Sequence, residues 1–251
     1  MLMSVRSLAA ATTLGGMLFA ATPAFADEDT DPPSAIEVSG NAAITSEYRF
    51  RGVDLSGGDI AVQGGIDVAH ESGIYIGAWG SSLDEDTVGF GHTELDIYAG
   101  WSGNLTSGLS ADVGVIYYLF PNAPAIAGDT DYVEFTGSLS TTLGPAEATL
   151  GVAYAPEQDS LGGTDNFYIY TDLGVGIPST PITVNGHVGY TDGFLTFTND
   201  SKAWDWSVGA DWAVTENVTL GFAYTGAEGD IPAGAYDFVD DAAVVTLGVS
   251  F

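Results

Sequence analysis

The chain has 251 residues, with 34 Asp and Glu against four Lys and Arg, no cysteine, 34 glycines and 12% aromatic residues. So acidic a chain excludes nucleic-acid binding, which needs a basic surface, and the lack of cysteine excludes a disulfide framework and thiolate metal sites. Many glycines, many aromatics and few lysines also depart from the composition of an ordinary soluble domain.

The N-terminus comes first in chain order. Arg6 is the only charge before Asp27, an apolar run extends from about Leu8 to Ala21, and Ala24-Phe25-Ala26 has the small-x-small form of a cleavage site. Residues 1–26 therefore read as a signal peptide for Sec export, cleaved after Ala26. The run is shorter than the ~20 apolar residues of a membrane-spanning helix, and Gly15, Gly16 and Pro23 weaken it further. Without the signal, Arg49, Arg51 and Lys202 stand alone against 34 acids, a net charge near −31. Residues 27–35 form an acidic, proline-containing periplasmic lead.

From residue 36 to 251 the chain divides into about twelve segments of alternating apolarity bounded by turn residues, the signal expected of membrane strands of ~10 residues. They lie near 36–50, 59–69, 73–82, 92–102, 107–119, 131–142, 145–155, 165–177, 181–191, 203–214, 217–227 and 241–251. Connections alternate in length. Those at 52–58, 83–91, 120–130, 156–164, 192–202 and 227–240 are long, whereas 70–72, 103–106, 144, 178–180 and 215–216 are tight. No stretch after residue 26 can form a transmembrane helix, and a closed barrel is the other structure that satisfies every backbone group in lipid. The expected fold is all-β: a transmembrane antiparallel up-and-down β-barrel with long extracellular loops and short periplasmic turns, both termini on the periplasmic side.

Period two assigns the faces. Leu95, Ile97, Ala99 and Trp101 oppose Glu94, Asp96, Tyr98 and Gly100. Phe167, Ile169, Leu173 and Val175 oppose Tyr168, Tyr170, Asp172 and Gly174, while Trp204, Trp206, Val208 and Trp212 oppose Asp205, Ser207 and Asp211. The last strand sets Val245, Leu247, Val249 and Phe251 on one face. Mid-strand carboxylates could not be buried unpaired in a small soluble core, but a hydrated lumen solvates them. Aromatics gather at both edges: Phe50, Tyr117, Phe120, Tyr154, Phe167, Tyr190, Trp204 and Tyr224 toward the long loops, and Trp101, Trp212 and Phe251 toward the tight turns.

Tyr48-Arg49-Phe50-Arg51-Gly52, Ala61-Val62-Gln63-Gly64-Gly65 and His70-Glu71-Ser72-Gly73-Ile74-Tyr75-Ile76-Gly77-Ala78-Trp79-Gly80-Ser81 resemble the TorF family of porins. Glu94-Leu95-Asp96-Ile97-Tyr98-Ala99-Gly100 and Asp112-Val113-Gly114-Val115-Ile116-Tyr117-Tyr118 fit the same family, with a looser likeness to the end. The chain departs from the family's pattern at Val53-Asp54-Leu55-Ser56, in the first long loop. The resemblance implies an outer-membrane porin and carries over no site residue.

The lumen itself supplies the candidate residues. Pore-lining candidates are Glu47, Arg49, Arg51, Asp67, Glu94, Asp96, Asp112, Glu134 and Asp172, with Asp205 and Asp211 on the same inward faces. A lumen rich in acids and poor in bases favours cations. Arg49 and Arg51, two residues apart on the first strand, would share a face and fork onto Glu47, Asp67 or Glu94, as a constriction, as a clamp for a substrate carboxylate, or as a wall-bracing network. Twelve strands enclose more space than the eight that side chains fill, and inward glycines such as Gly65, Gly100, Gly151, Gly174 and Gly189 widen it. No loop is long enough for a bulky plug.

The expected function is passive diffusion of ions or small polar solutes, with outer-membrane lipids and lipopolysaccharide as surroundings. Two rival readings are a closed structural or adhesive barrel and a barrel lipid hydrolase. For the hydrolase, His70 and Ser72 have the i, i+2 spacing but sit in a tight turn, and His92 and His187 complete the histidines. Neither an enzyme nor a cofactor is expected. Asp84-Glu85-Asp86 and Asp27 to Asp31 offer oxygen ligands for loosely held divalent cations, without the EF-hand spacing.

Overall fold

The computed structural model describes residues 35–231 and 236–251. The expected signal peptide and all but the last residue of the acidic lead lie outside these. The alternating segments become strands β1 (Ile36–Thr45), β2 (Arg49–Phe50), β3 (Val53–Asp54), β4 (Ala61–His70), β5 (Ile74–Ser82), β6 (Thr93–Thr106) and β7 (Leu109–Leu119). They continue with β8 (Tyr132–Leu143), β9 (Ala146–Gln158), β10 (Thr164–Gly176), β11 (Ile182–Gly193), β12 (Lys202–Ala213), β13 (Val218–Gly229) and β14 (Ala242–Ser250). One short helix, α1 (Glu85–Val88), lies between β5 and β6.

All strands except β2 and β3 form one closed antiparallel barrel in which sequence neighbours pair. The seam closes where Asn41–Thr45 of β1 pairs with Thr246–Ser250 of β14. Reciprocal backbone bonds between Gly40 and Phe251, 2.8 and 2.9 Å, extend that seam to the last residue. Closure leaves no unpaired sheet edge.

Facing follows the period of two. Leu95, Ile97, Phe167, Ile169, Trp204, Val208, Val245, Leu247 and Val249 are all exposed on the outside, while Glu94, Asp96, Tyr98, Tyr168, Tyr170 and Asp205 are buried inside. An apolar band on the outer surface and carboxylates within invert the arrangement of a soluble protein. Tyr117, Tyr154, Tyr224, Trp212 and Phe251 lie outward at the two rims as expected. Phe50 and Phe120 do not: both are buried inside the barrel.

Connections alternate as the spacing predicts, long at one rim and short at the other, except that residues 159–163 between β9 and β10 are no more numerous than residues 177–181 between β10 and β11. Two boundaries move. β6 runs to Thr106, so the turn expected at 103–106 falls at Ser107-Gly108, and β9 reaches Gln158, which trims the fourth long loop.

The largest departure lies in the first segment, expected as one strand over 36–50. β1 stops at Thr45, and residues 46–60 turn into the barrel as a small hairpin, β2 against β3, with Arg49 opposite Asp54 and Phe50 opposite Val53. Its two-residue turn, Arg51-Gly52, has φ of +52° and +77°, the sign that a tight type I′ connection needs at both positions. Tyr48, Phe50, Val53 and Leu55 are buried in one apolar cluster with Tyr98, Ile116, Tyr118, Tyr132 and Ala227 of the walls. Full burial of such side chains stabilises the seat by roughly 1.5–3 kcal/mol each. The expectation that no loop could fill the lumen is therefore corrected: the strand ends early, and that lends the loop enough chain to reach inside.

Candidate functional site

The hairpin touches walls all round the barrel, which is feasible only from within. The Tyr48 ring packs edge-on to Trp79 of β5, Phe50 meets Tyr118 of β7, and Gly52 lies against Gly226 and Ala227 of β13 and Asp205 of β12. A Cβ at Gly52 would fall 2.7 Å from that of Ala227 and 2.8 Å from the Gly226 carbonyl oxygen, so only glycine fits this approach.

Two of the three Lys and Arg among the described residues pin the hairpin. Arg49 donates to Glu47, to the Asp240 carboxylate and backbone carbonyl at 2.7 Å each, and to the Gly52 carbonyl at 3.1 Å. It thereby ties the hairpin to the loop before β14. Arg51 points to the other side, where its Nη2 lies 2.6 Å from Glu134 on β8 and its guanidinium carbon 4.2 Å from the centre of the Tyr168 ring and 4.6 Å from that of Phe50. The two arginines thus neither lie on a wall strand nor share a partner. Glu47 is met by Arg49 as expected, whereas Asp67 and Glu94 receive neither.

Asp54 completes the hairpin from inside. It is fully buried, its Oδ1 accepts the Ser56 and Gly57 amides at 2.9 and 3.0 Å, and its Oδ2 accepts the Tyr236 hydroxyl at 2.6 Å. Partial burial and the Asp54 carboxylate raise the Tyr236 phenol above its ordinary range. Neither residue stands out in the sequence, because Asp54 reads as an ordinary loop acid.

The remaining candidates divide between two walls. On β6 and β8, Glu94, Asp96 and Glu134 are each no more than 2% exposed. Glu134 meets Arg51 and accepts the Tyr118 hydroxyl at 3.2 Å, yet its Oε1, both Asp96 oxygens and Glu94 Oε2 have no hydrogen-bond partner. Asp67 and Asp112 face lower levels of the lumen and accept the Tyr98 and Tyr75 hydroxyls at 2.6 and 3.0 Å.

On β10 to β12 the carboxylates are engaged. His187 is wedged between Asp172, 2.6 Å from its Nδ1, and Asp205, 2.8 Å from its Nε2, while the Tyr168 hydroxyl donates to Asp205 at 3.0 Å. Asn185 donates to Asp211 at 2.5 Å. The strand register places His187 directly opposite Asp172, a pairing that the sequence could have offered once the two strands were set side by side. This wall borders a lumenal cavity of about 220 Å³ that reaches from the underside of the hairpin toward Ser39 and Ser250 at the short-turn rim.

Four inward tyrosines cover glycines of the adjacent strand: Tyr98 over Gly77, Tyr75 over Gly100 and Tyr170 over Gly151 lie directly opposite in the register, and Tyr168 reaches diagonally over Gly189. A Cβ at any of these glycines would come within 2.4 Å of the ring or its hydroxyl. The glycines keep the rings against the wall and out of the lumen.

The other candidate chemistry is weakly built. His70 Nδ1 meets the Ser72 hydroxyl at 2.9 Å and accepts the Ser72 amide at 3.1 Å, the geometry of a turn at the exposed short-turn rim. Asp84 caps α1, accepting the Thr87 amide at 3.0 Å and the Thr87 hydroxyl at 2.5 Å. No group of three His, Asp or Glu among the described residues is placed to hold a metal ion.

These features define a closed twelve-stranded barrel with an apolar exterior and a polar, partly filled lumen. The chain belongs to the Gcw_chp family, described as bacterial proteins of unknown function, whose model matches residues 29–251. Its fold is similar to that of the NanC porin, with a TM-score of 0.58 at 12% identity over 86% of this chain and 99% of that one. It is also similar to the KdgM porin solved in complex with disordered oligogalacturonate, with a TM-score of 0.55 at 7% identity over 85% and 97% of the two chains. No curated protein matches the sequence.

Proposed function

We propose that the protein is a porin-like channel of the bacterial outer membrane, akin to the TorF porins, that passes ions or small polar solutes and prefers cations. One observation carries this reading: a closed barrel apolar outside and carboxylate-bearing inside, with a cavity along its axis. In water that arrangement would expose the apolar band and bury charge, whereas in a bilayer the band meets lipid and the lumen keeps its water. The signal segment at residues 1–26 and the rim aromatics support the same address.

Cation preference follows from the walls. Asp67, Asp172, Asp205 and Asp211 border the cavity, with His187 and the two hairpin arginines as the basic groups there. Low-dielectric walls focus such a field and raise the local cation concentration. The Arg49 and Arg51 pairs brace the constriction, and Glu94, Asp96, Asp112 and Glu134 complete the inward acids.

The test is purified, refolded protein in a planar bilayer under a KCl gradient. The expected result is discrete conductance steps with a reversal potential of cation-selective sign. Intact barrels that never conduct would replace the channel with a closed structural barrel.

A further inference from the structure

Seven polar side-chain atoms between the hairpin and the walls are buried without any hydrogen-bond partner: Tyr48 Oη and Arg51 Nη1 on the hairpin, and Glu94 Oε2, Asp96 Oδ1 and Oδ2, Glu134 Oε1 and Asp205 Oδ2 on the walls. Buried polar groups are normally satisfied, so a cluster of orphans at one contact surface calls for a physical reason. The four acids lie within the first four residues of β6, β8 and β12 at the long-loop rim, the level at which the hairpin sits. Water in an emptied lumen would solvate every one of them. Seating the hairpin strips that water away and returns one ion pair, Arg51 to Glu134.

Opposed to this cost stand the apolar seat of Tyr48, Phe50, Val53 and Leu55 and the bonds of Arg49 and Asp54. One further feature allows release. The outgoing stem passes through Gly57 and Gly58, at φ +66° and +73°, and an added Cβ at Gly58 would meet nothing within 4 Å.

We propose that residues 46–60 form a displaceable plug, latched by Arg51 to Glu134, and that Glu94, Asp96, Glu134 and Asp205 are a cation-selecting band uncovered when it leaves. The inference rests on the channel reading for its conduit and adds the state in which the conduit is wide. Plugged, the selecting field comes from the lower cavity. Unplugged, Glu94, Asp96 and Glu134 meet water at the constriction beside Asp205, which already borders the cavity.

The natural absence of cysteine supplies the test, because one introduced thiol reports alone. Asp96→Cys is labelled in detergent micelles with a trimethylammonium-ethyl methanethiosulfonate reagent, with and without Arg51→Ala, and the same latch variant is recorded in bilayers. Loss of the latch should accelerate labelling about tenfold or more and raise conductance together with cation selectivity. Glu134→Gln, which keeps the side-chain size, serves if Arg51→Ala does not refold, and the swap of Arg51→Glu with Glu134→Arg should restore slow labelling. Labelling within about twofold of the latched protein overturns the plug whatever the conductance. Faster labelling with no conductance in any variant supports the plug and overturns the conduit.

Discussion

The β6–β8 wall and the β10–β12 wall carry the same sequence device, carboxylates at alternate inward positions, and end in opposite environments. On the first, Glu94, Asp96 and Glu134 are dry and share four unpartnered oxygens. On the second, Asp172 and Asp211 are half-buried and bonded to His187 and Asn185 beside the cavity, and Asp205, against the hairpin, is the one acid there that is 2% exposed with an unpartnered oxygen. The strands alone do not make this difference. The hairpin does, by seating its Tyr48, Phe50 and Arg51 against the upper part of one wall and leaving space below along the other. Alternation thus fixes which way a side chain points, and a segment remote from the strand fixes whether it meets water.

The largest expected effect comes from the one ion pair that the dry wall makes. Glu134→Ala leaves the Arg51 guanidinium buried without a carboxylate, a loss of order 3–5 kcal/mol in seating the hairpin. Hydrogen exchange followed by mass spectrometry should then speed up at the amides of Tyr48, Asp54 and Leu55, which now donate to Ser56, Phe238 and Tyr48. Asp172→Ala on the wet wall should leave those amides as they are. Equal exchange in the two variants would mean that the walls do not differ in their hold on the hairpin.

A difference in sign follows next. Asp96→Leu removes a carboxylate with no partner for either oxygen and should stabilise the barrel by about 1–3 kcal/mol. Asp172→Asn weakens a bonded carboxylate and should destabilise it by about 0.5–1.5 kcal/mol. Urea unfolding in the same lipid or detergent compares the two, and shifts of the same sign would dissolve the distinction. A smaller contrast separates the packed level from the open one. A Cβ at Gly189 would meet the Tyr168 hydroxyl at 2.3 Å and Asp205 Oδ2 at 2.6 Å, whereas at Gly174 its nearest neighbour is Asn185 Oδ1 at 3.4 Å. Gly189→Ala should cost about 1–3 kcal/mol from overpacking, and Gly174→Ala should be neutral or slightly stabilising, by the same unfolding measurement.

The twelve barrel strands and their facing were legible because a period of two survives any tertiary context, and loop lengths alternate for the same reason that a barrel has two rims. The hairpin was not legible as a plug. Thr45 through Phe50 continues the alternation of β1, so the pattern offers no stop at Thr45, and the break comes from packing inside the barrel. A signal did exist: Tyr48 and Phe50 before Arg51-Gly52, with Val53 and Leu55 after, is a two-residue turn between alternating apolar positions, the short-range mark of a hairpin. Arginine in place of the usual Asn or Asp hides it. The partners of Arg49 and Arg51, Asp240 and Glu134, are remote in sequence, and no spacing rule reaches them. The same holds for Tyr236 and Asp54.

Selectivity gives the smallest effect and the finest test of the two walls. Asp211 borders the open cavity, so Asp211→Asn removes charge from the path that ions follow while the plug is seated, and the cation-to-anion permeability ratio should fall roughly twofold. Glu94 is 2% exposed beneath the hairpin, so Glu94→Gln should leave the ratio of the plugged state unchanged. In the Arg51→Ala background the order should change, because the Glu94 carboxylate then faces water at the constriction and its loss should lower the ratio at least as much as that of Asp211. Reversal potentials for the parent, the two single variants, Arg51→Ala and the two double variants in one KCl gradient decide the matter. An effect of Glu94→Gln that is equal with and without Arg51 would show that the buried band already faces the ion path, and would place the dry wall and the wet wall in a single hydrated lumen.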